Sequence, residues 1–265
     1  IKGLRKRPYA RNLEGHVLYD DMKTTGSFGC SDEMMNKIYS NAYWGIRGNY
    51  NGMPTDCPQR DERLGWSGDR TTGAYGEGYI FDNRQLYSKW IKDFADSQNE
   101  SGALSDVVPN YWRLYSDNLT WTGAFITTAD MVLQQFGDDR PVKEHYDAMK
   151  KWMVYMKNRY GKDGIITKDR YGDWCMPPES LEIIHSKDPS RKTAAGVLST
   201  AYYHYLAKKM VRFATIAGHP EDAGYWSTEA EESKEAFNRE YFNEEAGNYA
   251  NNTVTANLLP LWFDM

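Results

Sequence analysis

Ala214-Thr215-Ile216-Ala217-Gly218-His219-Pro220-Glu221-Asp222 contains a helix stop and a helix start within three residues. Gly218 suits a helix end, because glycine enters the left-handed C-terminal cap conformation without a steric penalty. Pro220 suits the next start, since the first helical turn needs no backbone donor at that position. Helical patterning on either side predicts two long helices, 195–217 and 220–242, folded back on each other as a hairpin.

The same pattern recurs outward from this hairpin. Pro141 predicts a helix over 141–159 with Val142, Tyr146, Met149, Met153 and Met156 on one face. Asp82 and Gln85 read as an N-cap and N3 pair, followed by Leu86, Trp90 and Phe94 at i, i+4, i+8 spacing. Ser31, with Asp32 and Glu33 behind it, predicts a further start, and Met35, Ile38, Tyr39 and Ala42 recur at helical spacing. All these stripes are expected in the core. Polar, Gly-bearing turns at 98–104, 161–166 and 243–249 follow the long helices at irregular intervals, which excludes a strict solenoid period. The expected fold class is all-α, a toroid of helical hairpins, with a plain bundle or helical repeat scaffold as the alternative. Residues 1–30 read as an extended arm or the end of a preceding β domain, and residues 31–265 as the helical domain.

Hydrophobic residues make up 40% of the 265-residue chain, without an apolar run long enough to span a bilayer. The net charge of −5 argues against nucleic acid or an anionic membrane surface as partner. Cys30, Cys57 and Cys175 are too few and too scattered for a disulfide framework, and no Cys/His spacing suggests zinc. Neither metal nor cofactor is expected. The 14% aromatic content, with 9 Trp and 20 Tyr, suits a wet, partly apolar cleft of the kind that takes sugars. Large aromatics filling a helical core account for the same number. The chain begins at Ile1 and ends in the apolar Leu258–Met265, so it reads as a processed chain or an excised segment.

The densest chemistry lies in Asp56-Cys57-Pro58-Gln59-Arg60-Asp61-Glu62-Arg63-Leu64-Gly65-Trp66-Ser67-Gly68-Asp69. Pro58, Gly65 and Gly68 interrupt any helix there, and loops on rigid scaffolds are where catalytic groups concentrate. Hydrolysis of a glycosidic bond needs a protonated carboxylic acid at the leaving oxygen and a second carboxylate across the ring. Carboxylates at different distances from Arg60 and Arg63 acquire different proton affinities, which separates acid and binding roles. On composition alone, an ion-paired loop joining two helices is the simpler reading. Tyr171-Gly172-Asp173-Trp174-Cys175-Met176-Pro177-Pro178-Glu179 and Asn118-Leu119-Thr120-Trp121-Thr122-Gly123-Ala124 add two more Trp-bearing loops. Three such loops at similar places relative to the helices favour a shared carbohydrate cleft.

The stretch from Asp56 to Asp69 resembles the signature of bacterial α-L-rhamnosidases of glycoside hydrolase family 78, in which Thr is common at the position of Ser67. Thr25–Asp32 resembles the family's entry into its catalytic domain, and Gly172-Asp173-Trp174 and the helix around Ala201-Tyr202-Tyr203 match in character and order. The resemblance implies an (α/α)6-barrel, here an incomplete portion of it, and inverting release of terminal L-rhamnose from glycosides or polysaccharides. It aligns Glu62 with the general acid. Asp56, Arg60, Trp66 and Asp69 align with sugar-binding residues, Trp121 and Trp174 with cleft tryptophans, and Asp173 joins the binding set. Thr122-Gly123-Ala124 departs from the family's frequent Gly-Asp-Ala, so one acidic contact is expected to be missing. The family's general base is a glutamate in the later half of the barrel, which this sequence does not supply; neither Asp173 nor Glu179 is assigned that role. A catalytically silent carbohydrate-binding or scaffold module is the alternative, as is a related glycosidase for another terminal sugar. A periplasmic or cell-surface location is favoured over the cytoplasm.

Overall fold

Gly218 makes the predicted turn in a computed structural model of the chain, which describes residues 2–172 and 188–265. It adopts φ 86, and its N–H reaches the carbonyls of Ala214 and Thr215. The helix Ala195–Ala217 ends there, and Pro220–Tyr241 runs back along it. Gly137, at φ 66, does the same between Ala124–Phe136 and Arg140–Tyr160, with Pro141 in the first turn of the latter.

In chain order the helices are α1 (Glu33–Gly48), α2 (Gly68–Gly78), α3 (Arg84–Ser97), α4 (Ala124–Phe136), α5 (Arg140–Tyr160), α6 (Ala195–Ala217), α7 (Pro220–Tyr241) and α8 (Val254–Phe263). The predicted helix ends shift at two places. Asp32, not Ser31, caps α1, its carboxylate accepting from the N–H groups of Met34 and Met35; a charged acceptor is the better match for the positive helix end. Asn83, not Asp82, precedes α3, and it is buried with its amide donated to the Tyr50 hydroxyl at 3.2 Å.

The helices form two layers. The helices α2, α4, α6 and α8 touch in succession, while α3, α5 and α7 pack behind them. Helix α4 is buried on all sides from Ala124 to Leu133, so it has no polar face. The predicted stripe of α5 and, from α3, Trp90 and Phe94 lie in the core beside it, with Phe94 stacked on Phe125 at 5.3 Å between ring centres. Leu86 instead joins a separate small cluster with Tyr50 and Phe81. Tyr146 links the outer helices by accepting from the Trp226 indole and donating to Asp222. Among the described residues, no helix is long and apolar enough to cross a membrane.

The stripe on α1 departs from expectation. Met35, Ile38 and Ala42 are exposed and Tyr39 only half-buried, because none of the described helices packs closely against α1. Its contacts are local: Tyr43 and Ile46 lie against the small cluster of Tyr50, Phe81 and Leu86. Residues 20–26 run extended, and Thr24 and Phe81 form an isolated antiparallel bridge. The predicted turn at 98–104 is organised by the Asn99 side chain, which accepts from Gly102 and Ala103. The other two turns are small antiparallel hairpins, β1 (Gly161–Lys162) with β2 (Ile165–Ile166) and β3 (Phe242–Asn243) with β4 (Asn248–Tyr249).

Phe94 is fully buried between Trp90 and Phe125. Phe94→Ala should lower the unfolding free energy by about 3–5 kcal/mol, as large-to-small aromatic truncations in cores do. Urea unfolding of the variant tests this, and a loss below ~1 kcal/mol would show that this layer is not packed as described.

Candidate active site

The N-terminal ends of α2 and α4 bring two loops together, and a third loop, following β2, joins them. The first loop, Asp56–Ser67, doubles back on itself: Asp56 N–H donates to the Leu64 carbonyl at 2.8 Å, and Leu64 N–H to Asp56 Oδ1 at 2.7 Å. The chain then runs antiparallel to residues 106–108, with a bridge between Trp66 and Val107. The Ser67 N–H and hydroxyl both donate to the Asp106 carbonyl, at 3.0 and 2.9 Å. The two glycines are required by this close approach. A Cβ on Gly65 would lie 1.9 Å from the Val108 carbonyl oxygen, and one on Gly68 2.1 Å from the Trp121 ring.

A buried ion pair anchors the start of the loop. Arg70 on α2 donates to Glu77 Oε1 and to the Thr55 carbonyl, both at 2.8 Å. Glu77 Oε2 also accepts from the hydroxyls of Tyr50 and Tyr87. Burial works against the Arg70 charge, but Glu77 together with Tyr87, Tyr50 and Asp69 outweighs it and keeps the guanidinium protonated.

The second loop turns on Asn118, whose side-chain Oδ1 accepts from Trp121 N–H at 2.7 Å. Asp169, on the third loop, accepts from Leu119 N–H, from Thr120 N–H and hydroxyl, and from Tyr171 N–H. The second and third loops are thereby tied together. At Thr122 the hydroxyl is buried against the Asn118 carbonyl.

Asp56, Arg60, Glu62, Trp66, Asp69, Trp121 and Tyr171 line one cavity of about 280 Å³. Six of these seven belong to the set expected from sequence. The other two expected residues, Asp173 and Trp174, lie outside the described residues. Tyr171 stood in a quoted loop but not in the expected set, and Asp106 carried no signal, since a lone acid in Ser105-Asp106-Val107 looks like any turn acid. Arg60 knits the polar rim: its Nη2 lies 3.1 Å from Asp56 Oδ2 and 3.4 Å from Glu62 Oε2, and its Nε donates to Cys57 Sγ. Asp56, Cys57 and Glu62 bring their ligating atoms close together, and the Arg60 guanidinium contacts all three. The Asp56 side chain is only 5% exposed, against 22% for Glu62 and 61% for Arg60. Trp66 Nε1–H donates to Glu62 Oε1 at 2.5 Å.

The walls are aromatic. Tyr171 lies over Trp121 at 4.5 Å and meets Trp66 edge-on at 6.1 Å, and Trp112 meets the Trp66 ring edge-on as well. Asp69, in the first turn of α2, opens onto the cavity. Burial lifts its carboxyl above the ordinary range; Arg70 opposes this, and the nearby Asp56, Glu77 and Glu62 charges add to it. Carboxylates and one arginine at the rim of an aromatic pocket suit a small polyhydroxylated ligand with an apolar face.

Residues 23–265 match the model of the bacterial α-L-rhamnosidase six-hairpin glycosidase domain. An α-L-rhamnosidase of Formosa agariphila is 29% identical over 261 residues, covering 98% of this chain and 27% of that protein. The structure of α-L-rhamnosidase from Dictyoglumus thermophilum superposes with a TM-score of 0.87 at 36% identity, covering 99% of this chain and 29% of that one. The Streptomyces avermitilis α-L-rhamnosidase complexed with L-rhamnose superposes at 0.85 with 30% identity, covering 94% of this chain and 23% of that one. The chain thus spans about a quarter of the length of the relatives it matches.

The raised Asp69 pKa has a consequence for stability. Its folded value lies above its unfolded value, so the stability that its protonation contributes is present at low pH and is lost as pH rises through the folded pKa. At pH 7 the charged Asp69 therefore costs stability. Asp69→Asn should raise the urea midpoint at pH 7, with the gain shrinking as pH falls through the raised folded pKa and gone once pH is below the ordinary carboxylate range. A lower midpoint at pH 7 would contradict the burial-dominated environment.

Proposed function

This chain belongs to the bacterial α-L-rhamnosidase six-hairpin glycosidase family, and on that premise we propose that the protein hydrolyses terminal α-L-rhamnosides with Glu62 as general acid. The observation that carries the reading is the convergence of Asp56, Arg60, Glu62, Trp66 and Asp69, all from one fourteen-residue stretch, on a single cavity walled by Trp121 and Tyr171. The similar Streptomyces avermitilis protein holds L-rhamnose in its structure, and rhamnose-bearing glycosides, oligosaccharides or polysaccharides are the proposed substrates.

The chemistry follows from the contacts. Asp56 is held on both oxygens, by Leu64 N–H and by Arg60, yet each oxygen keeps a lone pair for a sugar hydroxyl. Asp69 offers a second acceptor for a neighbouring hydroxyl. The indole walls take the C–H face and the methyl group of the 6-deoxy sugar. Trp66 donates to Glu62 Oε1, so Oε2, which faces Arg60 Nη2 at 3.4 Å, is the atom that carries the proton to the leaving oxygen. Inversion also needs a base about 6.5–9.5 Å from the acid, with a water between them. We place that base outside this chain, in keeping with the fourfold greater length of the relatives.

Glu62→Gln in the full gene product should reduce hydrolysis of an alkyl rhamnoside by about 10²–10⁴-fold, the usual contribution of general acid catalysis. Rates and rhamnose binding are to be measured on the same sample. An unchanged rate would remove Glu62 from the mechanism. Rhamnose binding without any turnover by the unaltered protein would identify a carbohydrate-binding module instead.

A further inference from the structure

The cavity holds one aromatic residue whose place is set from behind by a buried acid. Tyr171 donates its hydroxyl to Asp106 Oδ2 at 2.9 Å, and Asp106 is fully buried. Asp106 Oδ1 accepts from Asn118 Nδ2 at 2.7 Å, while its backbone carbonyl receives both donors of Ser67. One buried residue therefore joins all three site loops: 56–67 through Ser67, 118–121 through Asn118, and 169–171 through Tyr171. Burial, followed by the Asp106 charge, pushes the Tyr171 phenol up to about 12, so it remains a donor at any physiological pH.

The Tyr171 ring passes this restraint forward. It meets Trp66 edge-on at 6.1 Å with the planes 88° apart, and Trp112 makes a second edge contact with Trp66 at 6.3 Å. Trp66 is thus restrained by two ring contacts, and its indole N–H donates to Glu62 Oε1. The contacts run in series from Asp106 to Tyr171 to Trp66 to Glu62. Of the described residues lining the cavity, only Tyr171 links a buried acid to the hydrogen-bond partner of Glu62.

We propose that Tyr171, held by Asp106, is a positioning residue for Glu62: it fixes the Trp66 indole and thereby orients the carboxyl that delivers the proton. The proposal rests on the reading of Glu62 as general acid. A misplaced acid slows substrates in proportion to their need for protonation, so alkyl rhamnosides should lose much more rate than aryl rhamnosides with a good leaving group.

The test compares Tyr171→Leu and Tyr171→Phe in the full gene product, with kcat and KM measured for a methyl and a nitrophenyl α-L-rhamnoside. Tyr171→Leu should lower kcat on the methyl rhamnoside about 10²-fold and on the nitrophenyl rhamnoside less than about tenfold. Tyr171→Phe, which keeps the ring contact with Trp66, should recover most of that selective loss. An equal loss on both substrates, a loss confined to KM, or no loss at all would each overturn the positioning role. If Tyr171→Leu does not fold, Tyr171→Phe carries the comparison alone through a smaller loss with the same preference for the methyl rhamnoside. Glu62→Gln run beside them separates the two claims. If Glu62→Gln shows the leaving-group preference and the Tyr171 variants do not, only the positioning proposal falls; if Glu62→Gln shows none, the acid assignment falls with it.

Discussion

At Gly65 and Gly68 the backbone runs so close to the Val108 carbonyl and the Trp121 ring that a methyl group fits at neither position. The rest of the site depends on these two approaches. The first lets residues 64–67 pair with 106–108, which places Trp66 in the cavity and seats Ser67 on Asp106. The second brings the N-terminus of α2 against the loop that bears Trp121. A helix would have spread the same charges around its circumference; the irregular chain gathers Asp56, Glu62 and Arg60 on one side.

Holding charged groups on an irregular loop needs a rigid base, and the Arg70–Glu77 pair provides one. Removing one partner of such a buried pair typically costs about 3–5 kcal/mol, because the other charge is left uncompensated. The exposed pairs on α3, Lys89 with Asp93 and Lys92 with Asp96, contribute far less, because solvent screens them. Further buried carboxylates are paired elsewhere in the helical core, Asp130 with Lys209 and Glu229 with Lys157. Asp69 is the opposite case, a carboxylate whose desolvation costs stability and whose place at the cavity rim explains its retention.

The hairpin architecture was legible wherever local signals and packing agree. Gly218, Pro141 and Pro220 fix helix ends through backbone geometry alone, and the stripes on α3 and α5 find a partner in α4. The stripe on α1 had the same spacing yet is exposed, because periodicity reports that a face is apolar and not what covers it. Helix starts slipped by one residue at Asp32 and Asn83, where neighbouring polar residues compete for the cap. In the site, the stretch from Asp56 to Asp69 was legible because its chemistry is contiguous. Asp106, Asp169 and Tyr171 were not, since they act by meeting residues tens of positions away, and no local pattern encodes such a meeting.

The most direct test of a sugar cavity built by these loops is a crystal structure of the protein soaked with L-rhamnose. The sugar is expected between Trp66, Trp121 and Tyr171, with ring hydroxyls on Asp56 and Asp69 and its anomeric carbon facing Glu62. Rhamnose bound elsewhere, for example in the separate pocket between α5 and α7 beside Lys157 and Glu229, with this cavity empty, would contradict it.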